Sequence, residues 1–282
     1  MISKRRVFKS GKLERAYRRD GFVVVPFASR SRAEEAIGVF ERHRSGIEHG
    51  YHASMHSTDT AYKQAVDGEL VEHFWPHLEG FFDRYTHLIG AFMVKPPGGG
   101  SVVPPHQDWN MIDERFGNAM NCWIPVTEVN EASGRLWVLP GSHRYVPEGL
   151  RGSPGIPTCF DPLIPDLIDD FMEPVDVPLG STIIFDGRLL HRSPDNMTDT
   201  PRVAAYFNVV PAELTPIHYY HRPGGDIEGY RVDRSFFSTF NIGEEPRGER
   251  FATISDYEVA VFPREELERR HRIHRLRRLL PV

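Results

Sequence analysis

From Ile89 onward the chain breaks into short apolar or alternating runs separated by turn residues: IGAFMVK, AMNCWIPVT, RLWVLP, EPVDVP, STIIFDG and RVAAYFNVV. Runs of this length, punctuated by Gly, Pro and Asp, are too short for a helical bundle and read as strands of an antiparallel sandwich or barrel. The preceding third has a different texture. Residues 11–19 (GKLERAYRR) and 31–45 (SRAEEAIGVFERHRS) carry apolar positions at helical spacing, with Ser31 as N-cap and Glu34 as its capping-box partner. Between them GFVVVPF is a β-branched strand, and residues 67–90 read as helix interrupted at Pro76. The last stretch, PREELERRHRIHRLRRLL, is an amphipathic helix suited to a surface or to a contact between copies.

No internal repeat and no Pro/Gly/Ser linker divides the 282 residues. One domain over 1–282 is therefore expected: N-terminal helices over 10–86, a barrel core over about 87–215 and a terminal helix over about 263–280.

Charge and cysteine content narrow the chemistry. The two cysteines, Cys122 and Cys159, are too few for a disulfide framework or a thiolate metal site, so any metal must be held by nitrogen and oxygen. Residues 1–19 hold eight Lys/Arg against one Glu and residues 264–282 seven Arg against three Glu, which leaves about −16 of the net −5 on residues 20–263. Neither basic end interleaves aromatics with its charge, so no nucleic-acid partner is expected. No run approaches 18 apolar residues and no apolar stretch follows the basic N-terminus, so the reading is cytoplasmic, with no membrane span and no export signal.

The sharpest local signal is His106-Gln107-Asp108, directly after Pro104-Pro105. Positions i and i+2 of an extended segment share a side, so an imidazole and a carboxylate can meet one ion. With 14 His and 17 Asp in the chain, about one His-x-Asp arises by chance, so the triplet gains weight only from its company. His191 supplies it, at the end of the apolar run STIIFDGRLLH. Two imidazoles and one carboxylate make the facial triad of non-haem Fe(II) oxygenases, which leaves coordination positions open. Eleven residues later Arg202 opens the strand RVAAYFNVV, where its guanidinium fork can engage a dicarboxylate co-substrate. His143, His218 and His221 have no such setting and read as structural or wall residues.

In these features the chain resembles the phytanoyl-CoA dioxygenase family of Fe(II)/2-oxoglutarate-dependent oxygenases. The likeness is carried by DGFVVVPF followed by a helix, KPPGGG shortly before HQD, the strand region NCWIPVTEVNEASGRLWVLPGSH, and GSTIIFDGRLLHRSPDNMTDTPR, together covering roughly residues 15–215. The resemblance implies a mainly β fold with flanking helices, a double-stranded β-helix or cupin-like jelly-roll barrel. It implies His106, Asp108 and His191 as iron ligands, Arg202 and Ser193 on the distal carboxylate of 2-oxoglutarate, and Trp123 and Gln107 lining that site; Asn121, on the same strand face as Trp123, is a further pocket candidate. Related halogenases replace the carboxylate ligand with a small residue, so the resemblance with Asp108 in place implies hydroxylation or another oxygen-dependent C–H oxidation, with O2 as second co-substrate and release of succinate and CO2.

The partner implied is a small molecule, either polar or a natural product, because the chain shows no basic phosphate-binding loop. Candidate walls are Trp109, Asn110, Met111, the loop from Tyr51 to His56, Arg188, and Tyr219, Tyr220, Phe236 and Phe237, with Arg188 and Arg231 suited to an anionic substrate. Two other readings share the fold: a cupin-like metalloprotein with non-oxidative chemistry, which would need neither Arg202 nor Ser193, and a non-catalytic binding protein.

Overall fold

Capped helices stacked on one face of a large sheet open the fold. The structure is a computed structural model that describes residues 3–44, 50–145, 149–152, 154–259 and 261–279. Helix α1 (Gly11–Asp20) leads into β1 (Phe22–Pro26), α2 (Arg30–His43), β2 (His52–Ala53) and α3 (Thr60–Leu78). The strands β3 (Tyr85–Lys95), β4 (Val103–His106), β5 (Met120–Pro125) and β6 (Trp137–Val138) follow, then a short α4 (Ile164–Asp166). The chain continues through β7 (Glu173–Pro174), β8 (Ser181–Asp186), β9 (His191–Ser193), β10 (Arg202–Pro211), β11 (Ile217–His221) and β12 (Ile227–Arg231). A short α5 (Phe236–Thr239), β13 (Glu249–Ile254) and α6 (Arg264–Arg278) complete it.

The caps show where local chemistry ends each helix. Ser10 accepts from the Leu13 amide at the start of α1, and Gly21 ends it at φ 88°. A side chain at Gly21 would meet His143 Nδ1 at 2.4 Å, so both conformation and space require glycine there. In α2 the cap is Ser29, which accepts from the Arg32 amide, rather than the expected Ser31. Glu34 accordingly pairs with Arg30 one turn away instead of closing a capping box. Helix α3 also departs from expectation: Asp59 caps it at Thr60, it runs through Pro76 in its last turn, and residues 85–90 are strand. Proline near a helix C-terminus removes one late hydrogen bond, which the packed helix tolerates. Residues 45 and 280, expected at helix ends, lie outside the described residues.

Six strands form the large antiparallel sheet in the order β1-β8-β5-β10-β3-β2, and β4-β9-β6-β7 form a second. The outer face of the large sheet, with Phe92, Cys122, Ile184 and Phe207, packs with Val66, Leu70 and Phe74 of α3. Each such fully buried aromatic contributes about 1.5–3 kcal/mol. Its inner face, with Trp123, Ile183, Phe185, Ala204 and Tyr206, meets Leu136 and Val138 beside the second sheet. This is the expected jelly-roll layering, built of open sheets; no closed barrel is found among the described residues.

Two boundaries differ from expectation. Strand β1 belongs to the large sheet although it lies well before residue 87, and a third sheet, β11-β12-β13, extends the strands to Ile254. RLWVLP and EPVDVP contribute only the two-residue strands β6 and β7. Helix α6 docks through the buried Leu267 and His274, the latter 3.2 Å from Asp20.

His218 on β11 is fully buried among Trp109, Phe236 and Phe240, and neither ring nitrogen has a protein partner. Burial pulls its pKa from 6.5 to about 4. Between those values the unfolded chain binds a proton that the folded one refuses, so stability is lost as pH falls. Replacing His218 with Leu is expected to flatten the decline in unfolding free energy between pH 6.5 and 4.5 by up to about 1.4 kcal/mol per pH unit, read from urea melts. An unchanged slope would contradict a buried, neutral ring.

Candidate metal and co-substrate site

Register brings the two imidazoles together. His106 ends β4 directly opposite His191, which begins β9. The His106 ring lies 4.1 Å from that of His191, centroid to centroid. Asp108 follows two residues after His106, and its amide donates to Gly187 O at 2.8 Å, while Gln107 Nε2 donates to Arg188 O at 2.5 Å. The turn carrying His191 is thereby fastened to the segment carrying Asp108.

A buried polar cluster holds that turn. The Asp186 carboxylate accepts from Arg188 N, Nε and Nη2 and from the Tyr17 hydroxyl. Burial alone would raise the Asp186 pKa, but Arg188 overrides it and holds the carboxyl at about 2. Arg188 is thus spent on the scaffold and does not reach the cavity, contrary to its reading as a wall residue.

The ligand atoms of His106, Asp108 and His191 lie within 4.8 Å of one another. Both histidines point Nδ1 at a backbone carbonyl, His106 at Pro104 O and His191 at Leu189 O, each at 2.9 Å. In a neutral ring that partner fixes the proton on Nδ1 and leaves a lone pair on Nε2. Each Nε2 stands 3.8 Å from an Asp108 oxygen, too far for a hydrogen bond. Three lone-pair donors therefore converge without satisfying one another, as a divalent cation requires. Burial, then the neighbouring His106, pull the pKa of His191 to about 4, so its ring is neutral at physiological pH.

Asn121 does not line the cavity as expected. Its Nδ2 donates to Asp108 Oδ2 at 2.5 Å, and its Oδ1 accepts from Asn208 at 2.7 Å. It positions the carboxylate instead.

Arg202 begins β10 and is 3% exposed. Nη2 donates to Ser193 Oγ at 3.2 Å, the guanidinium lies 5.3 Å from the centroid of the Trp123 ring, and Nε has no protein partner. Ser193 Oγ donates its own proton to Gly134 O at 2.9 Å, which leaves a lone pair for the arginine. Burial lowers the Arg202 pKa to about 10, still charged at neutral pH. No carboxylate pairs with it among the described residues. A buried, unpaired cation is costly, and a dicarboxylate would complete it.

These groups share a cavity of about 340 Å³. Of the sequence candidates it is lined by His106, Gln107, Asp108, Trp123, His191, Ser193 and Arg202, and of the expected walls by Tyr51, Met55, His56, Trp109, Met111 and Phe237. The other expected walls face elsewhere. Asn110 bonds Glu114 and the Arg151 amide, Tyr219 packs on Phe251, and Tyr220 and Phe236 sit in the core. Arg231 pairs with Glu249 at the surface.

The lining also includes residues that were not candidates in the sequence, among them Tyr206, Asn208, Phe240 and Ile242. The first two were within reach, since they follow Arg202 at even spacing on one strand. No helix among the described residues is long and apolar enough to cross a membrane.

The family model described as phytanoyl-CoA dioxygenase (PhyH) matches residues 17–204, more than half of the chain. Phytanoyl-CoA dioxygenase of Arabidopsis thaliana is 31% identical over 162 residues, covering 57% of this chain and 56% of the relative. The chain spans about half the length of the curated relatives it matches. Among solved structures, EctD from S. alaskensis with 2-oxoglutarate and 5-hydroxyectoine aligns at TM-score 0.51 and 19% identity, covering 76% of this chain and 84% of that one. The epimerase SnoN from nogalamycin biosynthesis, in complex with Fe3+, alpha ketoglutarate and nogalamycin RO, aligns at TM-score 0.52 and 19% identity, covering 73% and 84%. At these identities the structural likeness is one of fold.

Proposed function

The chain belongs to the phytanoyl-CoA dioxygenase family, and on that premise we propose that it is an Fe(II)- and 2-oxoglutarate-dependent dioxygenase that hydroxylates a C–H bond of a small natural-product-like substrate. The observation that carries this reading is the pairing, in one cavity, of a two-histidine, one-carboxylate cluster with a buried guanidinium that has no carboxylate partner. A non-oxidative metal site would have no use for that arginine.

In this reading His106, Asp108 and His191 hold the iron, and the donor set fits it: neutral imidazoles and one carboxylate, with the remaining positions open. Bound iron supplies oxygen activation coupled to decarboxylation of 2-oxoglutarate to succinate and CO2. The protein's own work is positional. Arg202, oriented by its hydrogen bond to Ser193, grips the distal carboxylate, Trp123 forms a flat wall against the arginine, and Gln107 braces the turn bearing His191. The apolar lining, including Phe185 and Leu136, keeps water out and strengthens the ionic contacts inside. Of the two substrate classes expected, these walls favour the natural-product class over a small polar solute.

Purified protein given Fe(II), ascorbate, O2 and 2-oxoglutarate is expected to form succinate slowly without any added substrate. Succinate formation no faster than in the His106→Ala variant would overturn the reading.

A further inference from the structure

Strand β10 orders the cavity floor. Arg202, Ala204, Tyr206 and Asn208 alternate onto one face, and Arg202 and Asn208 are about 20 Å apart along the strand. At the far end Asn208 lies between Ile89 of β3 and Asn121 of β5. The co-substrate anchor therefore sits at one end of the cavity and a chamber continuous with it at the other, with Asp108 held from Asn121 beside that chamber.

Hydrogen-bond directions in that chamber follow from the carboxylate. An ionised Asp108 only accepts, so Asn121 turns its NH2 toward it and its carbonyl toward Asn208. Asn208 must then present its NH2 to Asn121, and the same nitrogen donates to the Tyr206 hydroxyl oxygen at 3.0 Å. Two capacities remain. Asn208 Oδ1 is a buried acceptor with no partner, and the Tyr206 hydroxyl keeps a proton to donate. Both residues line the cavity.

The lining near this end includes Met55, Ile89, Trp109, Met111, Phe237, Phe240 and Ile242, most of them packed in one apolar cluster. The last three lie beyond residue 204, outside the segment that matches the family. They are pinned in place by Lys63, a buried lysine of α3 whose Nζ donates to Phe240 O at 2.6 Å and Asn241 Oδ1 at 3.0 Å. The Phe240 ring stacks on Phe236 and against His218 behind it. A wall so anchored is a fixed surface for recognition.

We infer that this chamber receives a neutral, ring-bearing hydrocarbon skeleton with one hydroxyl group, seated on Phe237, Phe240 and Ile242, its hydroxyl donating to Asn208 Oδ1 and accepting from Tyr206. The inference rests on the oxygenase reading above and names its substrate class. Asp108, the carboxylate of the cavity lining, is committed to the metal in the oxygenase reading, so a free amine would lie there without a counter-ion and an acid would lie among apolar walls beside a like charge, which disfavours both.

The test uses three compounds of one shape on the anaerobic protein loaded with Fe(II) and saturating 2-oxoglutarate: 2-tetralol, the cationic 2-aminotetralin and the anionic tetralin-2-carboxylate. Calorimetric titration is expected to give 2-tetralol a Kd at least tenfold below either charged analogue. Phe240→Ala is expected to weaken 2-tetralol at least tenfold, and Asn208→Leu at least fivefold. The visible absorption band that 2-oxoglutarate produces on the bound iron is recorded for every protein, and binding is compared only where it persists. The Phe240 ring packs on Phe236 and His218, so that variant serves if Asn208→Leu disturbs Asp108. Equal binding of the charged analogues, or no effect of Phe240→Ala, overturns the substrate inference while the band leaves the oxygenase reading standing. Absence of the band in the unaltered protein overturns that reading itself.

Discussion

Replacing His106 with Ala lowers Fe(II) affinity at least a hundredfold while leaving the fold intact. The His106 side chain is 37% exposed at the end of a short strand, so its removal opens no core cavity. Loss of a residue that only supports a metal ligand costs 10–100-fold in affinity, and loss of one ligand in three costs more. Equilibrium dialysis against Fe(II), with thermal melting of the metal-free protein as the control, checks the result. Undiminished iron binding would remove His106 from the metal site.

Replacing Arg202 with Leu has two effects of opposite sign. The co-substrate loses the buried guanidinium that faces its distal carboxylate in the oxygenase reading. Removal of one member of a desolvated charge pair costs about 2–5 kcal/mol, or 30-fold and upward in the dissociation constant of 2-oxoglutarate. The free protein, by contrast, gains stability, because a buried guanidinium without a counter-ion is replaced by a side chain that its surroundings accept. Calorimetry of 2-oxoglutarate binding and urea melts of the ligand-free protein read the two effects. A variant that is both destabilised and fully competent to bind 2-oxoglutarate would make Arg202 a structural residue.

In the sequence Arg202 stood out because it opens an apolar strand eleven residues after His191, and the triad because His-x-Asp on extended backbone puts two ligands on one side. Pairing across β4 and β9 then placed His191 opposite His106, a long-range register that the turn Asp186–Leu189 enforces. Asn121 was placed on the right face and given the wrong partner, since spacing along a strand does not tell a cavity from a neighbouring side chain. Ser31 was mistaken for the cap because Ser29 and Ser31 offer equal chemistry, and the helix start is decided by which one sits at the bend. The third sheet was missed for a different reason. IHYYH and IEGYR carry little apolar alternation and are strands because they pair with each other and with ERFATI. Phe237 was read as a candidate wall, but Phe240 and Ile242 beside it stayed out of view, as did Lys63, a lysine whose burial no sequence pattern announces.

The central claim is that one cavity holds iron and 2-oxoglutarate together. Anaerobic protein loaded with Fe(II) and titrated with 2-oxoglutarate tests it directly, through the metal-to-ligand charge-transfer absorption that chelation produces, with no substrate needed. The expected result is a band that saturates in the unaltered protein and is absent from His106→Ala and from Arg202→Leu at the same 2-oxoglutarate concentration. A folded, iron-loaded protein that shows no band would contradict it.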